Sequence, residues 1–146
     1  MNRNQNIFLL IIVTNLCGFS QVKESKLKLT GIEWQLTKLG SDTIILTYPV
    51  TLSFKSMNNN KKRKCSGNSF CSYFGGEYKI DSINGILSIN ELITQDLMCD
   101  KENQQMDTKY FNSLQSVTNY TLENNLLKLY TADQLKMTFI KSEKSE

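Results

Sequence analysis

Four cysteines and no histidine set the chemistry open to this 146-residue chain. A cysteine acts as a nucleophile or metal ligand as its thiolate, which a nearby cation or base stabilises. Without histidine, Ser-His-Asp and Cys-His nucleophile pairs, HExxH zinc sites and the zinc-deaminase motif are all excluded. A thiol enzyme using Cys65 or Cys71 would have to borrow a lysine or a carboxylate as its base. Cys65 directly follows the run Lys61-Lys62-Arg63-Lys64, whose charge is expected to lower its pKa and make it more reactive. Its open alternatives are a mixed disulfide, a bridge to Cys71, or an exposed loop thiol of no consequence. The basic run reads as a nucleic-acid patch, a contact for anionic lipid or polysaccharide, or a solvated loop between strands, the last being commonest. No CxxC pair is present, and zinc wants three or four Cys and His ligands, so neither metal nor cofactor is expected. Asp81, Asp96, Asp100 and Asp107 are scattered without the spacing of a paired-carboxylate site. Tyr73, Phe74 and Tyr78 beside Gly75-Gly76 either line a ligand mouth or pack in the core, and core is the commoner fate. Asn119-Tyr120-Thr121 is a formal glycosylation triplet.

The compartment decides how the thiols behave. Residues 1–20 read as a secretory signal: Arg3 supplies the positive flank, Ile7–Val13 the apolar stretch, and Gly18-Phe19-Ser20 the small residues before a cut at Gln21. The stretch is too short to span a bilayer of about 30 Å. Cys17 offers a lipid anchor, but Thr14-Asn15-Leu16 fits a lipobox poorly. Export places the chain where thiols oxidise. Three cysteines survive the cut, so one is left over. A signal peptide also contradicts a nuclear reading of the basic run. The net charge of +3 is too small to argue for nucleic acid by itself.

The elements that must position these residues are mainly β. The length fits one domain, and the 40% apolar and 21% charged fractions are ordinary for a folded one. Trp34 and Leu36 alternate with polar neighbours in a first strand. Pro49 separates the apolar runs Thr43–Tyr48 and Val50–Phe54, which suggests two strands with a bend or bulge between them. Tyr78 and Ile80 lead to Asn84-Gly85, with Leu87 and Ile89 beyond, and Asn-Gly predicts a hairpin with positive φ at both turn positions. From Tyr120 onward, turns at Asn124-Asn125 and Ala132-Asp133 mark a three-strand antiparallel meander. One segment breaks the pattern: Met106, Tyr110, Leu114 and Val117 share one helical face, with Asp100 and Glu102 at the start. The expectation is a mainly β (α+β) fold, an antiparallel barrel-like sheet of about seven or eight strands with one packed helix near residues 102–116.

Several of these segments resemble the META domain, the family of HslJ-like heat-shock proteins. Gly31-Ile32-Glu33-Trp34-Gln35-Leu36 is similar to its opening GxWxL strand, and Leu52-Ser53-Phe54 to its second. Gly67, Cys71, Gly76 and Tyr78 fall in register with its signature GxxGCNxxxGxY, although Phe70 and Ser72 replace a glycine and an asparagine. Thr94–Cys99 resembles the TxxxC element with the threonine one place early. Asp107 stands where the helix usually carries Glu. The resemblance covers residues 28–141 and implies an exported, envelope-associated bacterial protein with no established catalytic residues.

Cys71 and Cys99 occupy the family's two cysteine positions. The pairing this implies is a structural disulfide, with a redox or metal-binding pair and two buried thiols as alternatives. Cys65 is then the free thiol. The functional expectation is a non-enzymatic exported protein, periplasmic or secreted, with a role in stress tolerance, binding an unknown protein or envelope component. A monomer is expected, with no nucleic-acid partner and no transmembrane helix after signal cleavage. The alternative is a small-ligand carrier using the barrel mouth or interior.

Overall fold

The computed structural model describes residues 28–45, 48–56 and 63–143. The expected signal segment, Cys17, Lys61 and Lys62 lie outside the described residues. Among the described residues, nine strands and one helix follow in the order β1 (Glu33–Leu39), β2 (Asp42–Thr43), β3 (Thr51–Ser56), β4 (Arg63–Asn68), β5 (Ser72–Asp81), β6 (Ile86–Asp96), α1 (Lys101–Gln115), β7 (Asn119–Glu123), β8 (Leu126–Thr131) and β9 (Gln134–Lys141). All pairings are antiparallel. The order is β2-β1-β3-β4-β5-β6-β7-β8-β9, and β1 also pairs with β9, so the sheet closes into a ring. The two-residue β2 shares the β1 edge with β3: β3 takes Glu33–Gln35, and β2 takes Lys38 and Leu39.

Period-two alternation turns one face of each strand inward. Trp34, Leu36, Leu52, Phe54, Phe74, Tyr78, Leu87, Ile89, Leu127, Leu129, Met137 and Phe139 all meet inside the ring. The Trp34 indole N–H donates to the Leu29 carbonyl at 3.1 Å, which satisfies the one polar atom that this fully buried ring carries. The ring is thinnest between β6 and β7, which share only the pair Ile86↔Asn119. The connection between those strands is α1, which buries Tyr110 and Leu114 in the core. Asp100 caps its start, accepting from the Asn103 N–H at 2.8 Å.

The structure departs from the sequence pattern at three places. The run Thr43–Tyr48 does not form a long strand: β2 stops at Thr43 and Ile45 is 90% exposed, because β3 already holds part of the same edge. The Asn84-Gly85 turn has positive φ at Gly85 only (65°). It is a longer turn in which the Asp81 carboxylate accepts from the N–H groups of Ile83 and Asn84. The two-residue turn with both φ positive stands instead at Asn124 (48°) and Asn125 (63°). Finally, Arg63 and Lys64 begin β4 rather than lying in a loop.

Candidate functional site

The residues of the family signature converge where β4, β5 and β6 meet the start of α1. Asn68–Cys71 turns between β4 and β5, held by the Ser69 N–H to the Ser72 carbonyl at 2.8 Å. Gly67 is required by contact: a Cβ there would sit 1.9 Å from the Thr51 carbonyl oxygen. Gly76 stands opposite a bulge. Gly75 faces Ile93 and Glu77 faces Asn90, so Glu91 and Leu92 oppose Gly76 alone. A Cβ on Gly76 would lie 2.7 Å from the Leu92 side chain, and Glu91 takes φ of 51°.

Cys71 and Cys99 form a disulfide that ties the start of β5 to the residue before the helix cap. The same junction is held from within by Asp107. Its carboxylate is buried, accepting from the Cys71 N–H at 3.1 Å and from the Ser72 hydroxyl at 2.8 Å. Ser72 also lies 3.2 Å from the Asp96 carboxylate. The serine that replaces the signature asparagine thus still supplies a donor, and Phe70, in place of a glycine, packs edge-on to Tyr110 at 6.3 Å. Spacing alone leaves Asp107 among scattered acids, while the family resemblance marks it as the acid of the helix. Its position seven residues before Leu114, on the inward side of the helix, was the available signal.

Cys65 is the free cysteine, and the expected reactivity is overturned. It is buried in β4 at 2% exposure. Burial pushes its thiol up to about 11, and the Lys64 charge opposes this only weakly. Alternation is the reason: Lys64 points outward and pairs with Glu77 at 2.6 Å, while Arg63 donates to the Ile80 carbonyl at 3.0 Å. The Tyr110 hydroxyl, fully enclosed by the core, has no hydrogen-bond partner among the described residues. Burial raises its pKa well above the ordinary phenol range.

The three aromatics of the signature divide. Phe74 and Tyr78 are core; Tyr78 packs edge-on against Phe54 at 4.9 Å. Tyr73 faces outward at 52% exposure. It borders a groove of about 490 Å³ on the outer face of β4–β6, lined also by Lys64, Gly75, Gly76, Glu77, Glu91, Ile93 and Gln95. Side-chain-free Gly75 forms the floor. Ile93 in the groove wall is 77% exposed, and Leu97 (46%) and Met98 (104%) are exposed just past the end of β6. The segment bearing the last two is fixed by the Leu97 N–H to the Cys71 carbonyl at 2.8 Å and by the disulfide.

The META domain profile matches residues 27–144. No curated protein matches the chain. Among solved structures the chain is similar to an NMR structure at 25% identity, covering 77% of this chain and 90% of that one with a TM-score of 0.57. It is also similar to an NMR structure of a protein from Burkholderia xenovorans, at 22% identity, 80% and 85% coverage and a TM-score of 0.60. A crystal structure of a duf4847 family protein from Bacteroides vulgatus matches at 11% identity, 80% and 96% coverage and a TM-score of 0.55. The last two likenesses are of fold.

Proposed function

The chain belongs to the META domain family, and on that footing we propose that it is an exported, non-enzymatic protein of the bacterial cell envelope. It works by binding a partner or a surface, in stress tolerance. The observation that carries this reading is the exposed apolar set Tyr73, Ile93, Leu97 and Met98, in and near a groove with charged walls. An apolar patch rimmed by polar groups is the usual signature of a contact surface. The ring interior favours this over a carrier that holds its cargo inside: Trp34, Phe54, Tyr110 and Phe139 are fully buried there. The Cys71–Cys99 bridge supports an oxidising compartment. Among the described residues no helix is long and apolar enough to cross a membrane.

The test is a photo-crosslinking amino acid placed at Tyr73 or Met98 in the native host. Discrete adducts from these two positions, and none from the remote turn at Asn124, are expected. Identical, diffuse labelling from all three positions would remove the reading.

A further inference from the structure

An unpaired backbone edge runs along the same patch. After Ile86, β6 has no second strand beside it among the described residues; its other neighbour is β5 throughout. In an antiparallel ladder, alternate residues turn both backbone groups to the same side. The Leu97 N–H donates to the Cys71 carbonyl. Ile93 and Gln95, opposite Gly75 and Tyr73, therefore point their backbone groups at β5. Leu92, Thr94 and Asp96 turn theirs to the open side. Thr94, Gln95 and Asp96 are exposed. Proteins ordinarily guard such an edge with lysine, proline or a covering segment. The stretch from Leu92 to Leu97 contains neither lysine nor proline. Helix α1 packs against β6 but leaves Ile93 to Leu97 exposed.

We propose that the β6 edge from Leu92 to Asp96 accepts an extended polypeptide segment of a partner protein, alternating apolar and cationic side chains, as a further strand of the sheet. The proposal rests on the binding-module reading above and names its surface and partner chemistry. The backbone edge recognises the extended conformation through main-chain hydrogen bonds. Apolar side chains on the outward face of the added strand meet Ile93, with the glycine-floored groove and Tyr73 beyond. Charge selects the cations: Glu91 and Asp96 flank the edge, no Lys or Arg occurs from Ile86 to Asp100, and Lys64 in the groove wall is already paired with Glu77. The same charge disfavours a second copy of this chain, which would set two acidic edges against each other.

Oxidised, folded protein labelled with ¹⁵N is titrated with a short blocked peptide alternating lysine and valine. Amide exchange at Leu92, Thr94 and Asp96 is expected to slow by about tenfold at saturation. A glutamate–valine peptide should not bind, nor should a lysine–valine peptide N-methylated on alternate amides. Thr94→Pro removes an outward donor and leaves the β5 ladder intact; it should weaken binding by about tenfold, roughly the worth of one backbone hydrogen bond. Ile93→Ser should also weaken it and serves if the proline variant fails to fold. Unchanged exchange at these amides, equal binding of the N-methylated peptide, or a dimer formed through β6 without peptide would overturn the proposal. Crosslinks from Tyr73 or Met98 in the host would then leave the binding-module reading standing alone.

Discussion

The Cys65 thiol lies under the sheet among Phe54, Tyr78 and the bare backbone of Gly76, and desolvation keeps it protonated up to about 11. Its folded pKa is raised, so its contribution to stability is complete below the ordinary thiol range and is lost as pH climbs through about 11. Comparing urea midpoints of the wild type and Cys65→Ala across that alkaline range should show the steeper decline in the wild type. At neutral pH, iodoacetamide should label no cysteine in the folded, oxidised protein cut at Gln21, and Cys65 alone once urea unfolds it. Labelling of Cys65 in the folded state would contradict its burial. In the sequence the basic run makes this residue look reactive, but neighbours along a strand are not neighbours in space. In a strand, Lys64 and Cys65 stand on opposite faces, and only the burial of β4 on one side decides which of them meets water. The signature glycines were more legible, but their reasons were not: the Thr51 carbonyl over Gly67 and the bulge opposite Gly76 involve strands far apart in sequence.

Helix α1 is held to the sheet at several points. Tyr110 and Leu114 bury its apolar stripe, Lys109 pairs with Asp42 of β2, and Asp107 accepts two hydrogen bonds from the start of β5. Asp107→Ala leaves a buried N–H and a buried hydroxyl without that acceptor. It should destabilise the fold by about 2–4 kcal/mol, measured by urea unfolding. Asp107→Asn, which keeps one carbonyl acceptor, should lose less. An alanine variant as stable as the wild type would mean that water replaces the carboxylate. The helix itself was plain in the four-residue spacing of Met106, Tyr110 and Leu114, as was the closing meander in its alternation. The segment after Thr43 was not. Its apolar run has strand propensity, but an edge already occupied by β3 leaves no ladder for it, and occupancy of an edge is a tertiary fact that local pattern does not carry.

At the scale of the whole molecule, long-range closures hold the fold. The ring closes between its first and last long strands, and the Cys71–Cys99 bridge spans a sequence separation of 28. In the loop-entropy account, a bridge of that span stabilises by about 3–4 kcal/mol. Replacing both cysteines with serine should lower unfolding free energy by roughly that amount, with far-ultraviolet circular dichroism of the folded state preserved. Loss of folded structure in the variant would show that the ring cannot hold without its staple. Family membership was readable because several weak motifs keep their order along the chain. The open edge of β6 was not, since an unpaired strand is defined by what fails to lie beside it.

The seam between β1 and β9 has one more consequence. Trp34 faces Lys141, and the Ser142 N–H donates to the Glu33 carbonyl at 2.8 Å. The chain therefore begins and completes its ring at one spot on the surface. A short linker could join those two points and new ends could be cut in the exposed turn at residues 82–84, giving a circular permutant that keeps every strand pairing. By the same geometry the domain can be inserted whole into a loop of another protein, its two junctions side by side and the β6 edge left free to bind.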